Sequence, residues 1–225
     1  MIENEFIKKA YDEVLGNLPS KTKLLAVSKY QSIEKIKYLA SLGQNDFGEN
    51  YLQELEQKAK ELPNLNWHFI GSIQSKKIKH IVKYVSTIQS VEKFEHIEKI
   101  SKYANELGKQ ITVFLQINID DDESKSGFGS NQIDAVLDCI KKSIKLDGIR
   151  VVGLMCLPTK SSTPGQSFEK MQGFYAGVNS MLDDSQKLKE LSMGMSGDYI
   201  TAVELGSTMV RIGSSLFGER INQQK

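Results

Sequence analysis

Short apolar runs alternate with amphipathic stretches along almost the whole chain. The runs lie at 24–28, 45–49, 67–70, 84–90, 111–117, 150–156, 189–193 and 209–212, and each reads as a strand. Between them apolar residues recur at helical spacing. Ile33, Ile36, Leu39 and Ala40 line one face of 32–42, and Phe94, Ile97, Ile100, Ala104 and Leu107 line one face of 93–107. Ile133, Val136, Leu137, Ile140 and Ile144 do the same in 131–144. Further helices are predicted at 2–16, 51–61, 75–83, 165–183 and 198–205. Gly43 and Gly108 stand as stop signals behind two of these helices, and Pro63 behind a third.

Strands joined by helical crossovers must be parallel. Eight such units suggest closure into a single-domain (β/α)₈ TIM-type barrel with a leading N-terminal helix. A doubly wound open sheet is the competing architecture. The chain shows no linker, repeat or low-complexity tract, so one domain over residues 1–225 is expected. It stops soon after the eighth strand, which argues against a further C-terminal domain.

Composition narrows the function classes. The formal net charge of +1 provides no field that would favour nucleic acid or an anionic membrane. The first residues are acidic and lack the apolar core of a signal peptide. No apolar run approaches the roughly 18 residues needed to cross a bilayer. Cys139 and Cys156 are the only cysteines and form no CxxC, so a disulfide framework is not expected and a cytoplasmic location is. His68, His80 and His96 show no metal-ligand spacing, so no metal site is expected.

The candidate chemistry gathers at strand ends. Lys29 closes the first strand, and in a barrel the C-terminal strand ends surround one mouth where active sites lie. In a dry place its amine would lose its proton more readily and attack a carbonyl; at a loop start it would be one more solvated lysine. The loops after strands seven and eight often form a phosphate site in such barrels. Here they are Ser192-Met193-Gly194-Met195-Ser196-Gly197-Asp198, where Ser196 or Asp198 could cap the following helix, and Arg211-Ile212-Gly213-Ser214-Ser215. A ligand carrying both a phosphate and an aldehyde would engage lysine and loops together, and pyridoxal phosphate (PLP) is such a ligand. Arg211 lies in an apolar strand and either points inward to meet a ring nitrogen or outward to a helix carboxylate. Asn50 could bond a ring substituent or cap helix 51–61. His68 could face the mouth or be a satisfied core histidine. Lys125, in the polar loop after strand five, is the rival imine lysine and reads as solvated.

The stretches Ala26-Val27-Ser28-Lys29, Asp46-Phe47-Gly48-Glu49-Asn50-Tyr51, His68-Phe69-Ile70-Gly71, Glu123-Ser124-Lys125-Ser126-Gly127-Phe128, Leu191 to Asp198 and Gly206 to Gly213 resemble the pyridoxal phosphate homeostasis protein family (YggS/PROSC). The resemblance runs in order over nearly the whole chain. It implies a barrel like the N-terminal domain of alanine racemase, with PLP held covalently on Lys29. It implies phosphate contacts from Ser196, Gly213 and Ser214 in the loops that also carry Met195, ring-nitrogen contact from Arg211, Asn50 near the ring, and His68 in the same pocket. Two departures are visible. Ser214 stands where the family commonly has threonine, which keeps the hydroxyl. Lys76-Lys77 stands where an asparagine-lysine pair is usual, which leaves the role of that loop open.

The resemblance implies a cofactor-handling protein that would buffer PLP or deliver it to apo-enzymes, with a fold-type III racemase as the alternative. Racemisation needs proton transfer on both faces of the substrate, and Lys29 serves one. An arginine at the ring nitrogen weakens the cofactor as an electron sink. A Schiff-base aldolase would draw its lysine from a later strand. No catalytic residue is assigned, a monomer is expected, and the partners would be transiently bound PLP-dependent apo-enzymes.

Overall fold

The computed structural model describes residues 2–159 and 163–218. Helix α1 (Ile2–Asn17) leads into strand β1 (Lys23–Val27), and the βα unit then repeats. It runs through α2 (Ile33–Ser41), β2 (Asp46–Glu49), α3 (Leu52–Glu61), β3 (Asn66–Phe69), α4 (Ile78–Tyr84), β4 (Thr87–Val91), α5 (Phe94–Glu106) and β5 (Ile111–Asn118). A two-residue strand, β6 (Phe128–Gly129), precedes α6 (Ile133–Ser143). The last part comprises β7 (Ile149–Cys156), α7 (Pro164–Ser180), β8 (Glu190–Ser192), α8 (Tyr199–Glu204), β9 (Met209–Ile212) and α9 (Ser214–Phe217).

All pairings are parallel, in the order β4-β3-β2-β1-β9-β8-β7-β5, and β4 pairs with β5 to close the ring. The result is an eight-stranded (β/α)₈ barrel, and β6 attaches outside the ring to β5. The open-sheet alternative is thereby overturned. Alternation along each strand divides the apolar residues into two sets. Leu24, Ala26, Phe47, Trp67, Phe69 and Val210 face the helices and join the large outer core, whereas Leu25, Phe114, Met155 and Met209 fill the barrel interior.

Three boundaries differ from expectation. Helix α4 runs on to Tyr84 behind a 3₁₀ turn at Ser75–Lys77, which delays β4 to Thr87. Helix α7 stops at Ser180, and residues 184–186 form a separate 3₁₀ turn. Part of the polar loop after β5 pairs as β6, because Ile117 and Asn118 offer it their edge. Cys139 and Cys156 are both buried and free. Among the described residues, no helix is long and apolar enough to cross a membrane.

Candidate functional site

Register sets what the barrel mouth contains. β1 and β9 pair with Leu25 opposite Arg211. Leu25 and Val27 face inward, so Lys29, two residues further along β1, emerges at the C-terminal mouth. On the neighbouring strand Gly48 faces inward, with Asn50 beyond it; a Cβ on Gly48 would lie 3.1 Å from Leu25 Cδ2. A cavity of about 280 Å³ opens there. Its lining includes Lys29, Asn50, Met195, Ser196, Arg211, Gly213 and Ser214, with Ile70, Met155 and Leu157 as apolar wall.

The backbone at Lys29 is held under strain. Ser28 O accepts from Gln31 N at 3.0 Å, closing a turn in which Tyr30 has φ of 62°. A non-glycine residue in the left-handed region costs on the order of 1–2 kcal/mol. Three buried or half-buried charges hold this turn in place. Lys58 Nζ donates to Ser28 O (2.8 Å), Glu49 Oε1 (2.8 Å) and Glu54 Oε2 (2.7 Å). Ser28 Oγ donates to Glu49 Oε1 at 2.6 Å, and Tyr30 N donates to Glu54 Oε2 at 2.7 Å. Both neighbours of Lys29 are thus fixed by one ionic cluster. Burial pushes the Glu49 carboxyl above the usual range, while Lys58 and the hydrogen bonds from Lys58 and Ser28 pull it back.

Arg211 points inward, which settles the choice left open by sequence. Its Nη1 donates to Ser192 Oγ and its Nη2 to Cys156 O, both at 2.7 Å. Burial lowers its pKa from the usual guanidinium value, against the influence of Cys156 and Asp198. Burial also pushes the Cys156 thiol up to about 12, so this cysteine stays protonated and is a poor nucleophile.

Asn50 does not cap α3. Tyr51 occupies the cap position and makes no side-chain cap bond. Instead Asn50 Oδ1 is buried and, among the described residues, has no hydrogen-bond partner. A buried amide oxygen without a partner is costly, so a ligand donor is the natural complement. The backbone behind it is tightly packed: a Cβ on Gly71 would lie 1.9 Å from Asn50 O. Gly71→Ala is therefore expected to lower stability by about 1–3 kcal/mol by forcing the two strand ends apart, which thermal unfolding would register.

The loops after β8 and β9 meet at the rim. Ser215 N donates to Ser196 Oγ at 3.3 Å, and Arg211 N donates to Gly194 O at 2.9 Å. Gly194 has φ of 94°, a turn that side chains rarely adopt. Asp198 occupies the N-cap position of α8, but its Oδ1 accepts from Met195 N at 2.6 Å rather than from the helix. Ser214 opens the short helix α9 instead of continuing a loop.

His68 is the exception among the expected site residues. It faces the barrel interior, but one inward position below Ile70, so it lies beneath the cavity rather than in its wall. It sits 3.1 Å from Asp46 Oδ1 and 3.0 Å from Gln89 Nε2, and with Lys23, Asp46, Arg150 and Glu190 it lines the opposite, N-terminal mouth. Lys125 is half-buried rather than simply solvated. Its amine donates to the carbonyls of Leu157 (2.9 Å) and Pro158. Among the described residues, no three His, Cys, Asp or Glu side chains are grouped to hold a metal ion.

Comparison with known proteins adds relatives that the chain matches over most of their length. The profile of the alanine racemase N-terminal domain family matches residues 3–221. A pyridoxal phosphate homeostasis protein of Pasteurella multocida is 37% identical over 209 residues, covering 89% of this chain and 88% of its own. Its counterpart in Synechocystis is 35% identical over 222 residues, covering 96% of this chain and 100% of its own. PipY of Synechococcus elongatus, solved with PLP bound, superposes with a TM-score of 0.85 at 31% identity, over 94% of this chain and 100% of PipY. Alanine racemase of Clostridium difficile shares the fold, with a TM-score of 0.79 at 18% identity over 58% of the racemase. By these matches, and by the motifs that form its barrel mouth, the chain belongs to the pyridoxal phosphate homeostasis protein family.

Proposed function

We propose that this protein binds PLP in the cavity at the C-terminal mouth, holds it reversibly on Lys29, and buffers it or passes it to apo-enzymes. The observation that carries this reading is the convergence of a lysine, an inward arginine and an amide oxygen without a partner among the described residues on one cavity with a serine-glycine rim. When bound, PLP supplies an aldehyde that amines capture reversibly and a ring that can withdraw electrons.

The residues divide the work by chemistry. Ser196 and Ser214 offer hydroxyls to the phosphate, Gly197 and Gly213 let backbone approach it, and Met195 packs at the rim. Arg211 can only donate, so it bonds an unprotonated ring nitrogen and keeps the ring a weak electron acceptor. Asn50 supplies its amide to a ring substituent. The strained turn and its ionic cluster present Lys29 at a fixed angle.

The same lining argues for holding over turnover. Among its described residues, Lys29 is the sole amine, and no Asp, Glu, His, Cys or Tyr lines the cavity. A second base for proton transfer on the opposite face is missing from that set. The reading extends to one cytoplasmic barrel domain spanning the chain, acting as a monomer in transient contact with PLP-dependent enzymes.

Absorption spectroscopy tests the proposal. Added PLP is expected to give an imine band that collapses when a competing amine is supplied. Incubation with a single-enantiomer amino acid is expected to yield no sustained racemisation. No spectral change on adding PLP would sink the binding, and steady racemisation abolished by Lys29→Ala would replace the carrier with a racemase.

A further inference from the structure

A line of buried hydrogen bonds crosses the barrel interior beneath the cavity. Arg211 Nη1 donates to Ser192 Oγ at 2.7 Å, and Ser192 Oγ donates to Gln89 Oε1 at 2.8 Å. Gln89 Nε2 lies 3.0 Å from His68 Nδ1, and His68 Nε2 lies 3.1 Å from Asp46 Oδ1. Arg211, Ser192, Gln89 and His68 are all buried, while Asp46 reaches the N-terminal mouth. Five strands contribute one residue each.

The ends of the line fix its direction. Arg211 can only donate, so Ser192 Oγ accepts from it and turns its single proton to Gln89 Oε1. At the other end the carboxylate oxygen of Asp46 accepts, so His68 carries its proton on Nε2. Gln89 then has its NH₂ left for His68, whose Nδ1 must be an acceptor. Each donor points the same way, from Arg211 towards Asp46. Turning the Gln89 amide around would set its NH₂ against Ser192 and leave the serine proton without this acceptor. This is the one assignment in which every proton of the line has an acceptor within it. Bonds aligned in this way polarise and reinforce one another in a low-dielectric interior.

We propose that His68, Gln89 and Ser192 are positioning residues that hold the Arg211 guanidinium at its angle to the cavity, with Asp46 as the terminal acceptor. This explains why a histidine, a glutamine and a serine occupy interior positions that barrels commonly fill with branched apolar side chains. A guanidinium fixed from behind by Ser192 and by Cys156 O cannot swing towards the phosphate rim or out of the mouth. Only the identity of what Arg211 meets rests on the PLP reading. The line itself is a property of the protein alone.

Nitrogen NMR on labelled protein without PLP tests the line directly. In the wild type, His68 is expected to show a protonated Nε2 and an unprotonated Nδ1, with slowly exchanging Arg211 guanidinium signals. Gln89→Met cuts the line while leaving Arg211 and His68 in place. It should broaden the Arg211 signals, blur the single tautomer of His68 and weaken PLP retention about tenfold. Gln89→Glu accepts from Ser192 as before but cannot donate to His68. It should restore the Arg211 signals while placing protons on both His68 nitrogens, which a packing role would not produce.

Unchanged Arg211 signals in Gln89→Met would overturn the proposal, as would an Nδ1-protonated His68 in the wild type. The wild-type tautomer decides alone if the variants fail to fold. Intact NMR signatures with no PLP binding would support the line and sink the PLP reading.

Discussion

Replacing Lys58 by methionine is expected to cost the fold about 3–5 kcal/mol, measured as a shift in urea midpoint. Lys58 and Glu49 are both buried, and their side chains meet at 2.8 Å. Removing the ammonium strands the Glu49 carboxylate, whose Oε2 already has no partner among the described residues. It also releases Ser28 O and Glu54, so the strained turn at Tyr30 loses two of its restraints. The loss should depend on pH with a definite sign. The folded-state pKa of Glu49 is raised, chiefly by burial, from an ordinary value of 4.5. Below that value the carboxyl is protonated in both folded and unfolded chains, and its contribution is fully present. As pH rises towards the raised folded value, the unfolded chain releases its proton first and stability falls. Without Lys58 the folded pKa rises further, so the penalty should be smallest in acid and grow towards neutrality. Glu49→Gln added to Lys58→Met should recover part of the loss, since a neutral amide is cheaper to bury alone than a carboxylate. A variant as stable as the wild type at neutral pH would show that the cluster contributes nothing to the fold.

Lys29→Ala is expected to abolish covalent capture of PLP while leaving the barrel folded. Borohydride reduction of the loaded protein followed by peptide mass spectrometry should place a pyridoxyl group on the peptide containing Lys29, and on none in the variant. Lys125 is the control. Its amine is committed to the Leu157 and Pro158 carbonyls and should stay unlabelled. Labelling at Lys125 with Lys29 intact would reverse the assignment. Lys29 follows the last residue of β1 at the mouth and is half-buried, whereas Lys58 is buried in an ionic cluster, so the truncation should cost the fold less than Lys58→Met.

The contrast between these two lysines shows what a sequence exposes and what it hides. Lys29 was legible because it ends an apolar run, and in a parallel barrel every such end meets at one mouth. The same rule brought Asn50, Ser196 and Gly213 to that mouth, whereas Arg211 stood out as a charge within an apolar strand. Lys58 lies on a helix with Glu54 one turn before it, a pattern indistinguishable from an exposed ion pair. Only the third partner, Glu49 on β2, reveals that the pair is turned inward. The clue was the acidic residue in Phe47-Gly48-Glu49-Asn50, an odd choice inside a strand.

His68 fails for a different reason. Alternation predicts its inward direction correctly but carries no information on depth. Two residues along a strand amount to about 7 Å, enough to move a side chain from the cavity wall to the layer beneath. The placement of β4 slipped because Val85 extends the apolar run of α4 beyond the helix end at Tyr84, and periodicity alone cannot mark that seam.

The chain has a single tryptophan, Trp67, which is 2% exposed between the sheet and its helices. Its indole donates to Leu62 O at 3.1 Å and packs against Phe47 with ring centroids 5.8 Å apart. It faces away from the barrel interior. Tyr30 and Tyr51, by contrast, lie near the mouth, with ring centroids 5.3 Å apart and side chains about two-fifths exposed. Excited at its red edge, where phenols no longer absorb, the indole alone therefore reports whether the wall of the barrel is intact. A variant that keeps this emission but loses the visible absorption change on adding PLP has lost its ligand and kept its shape.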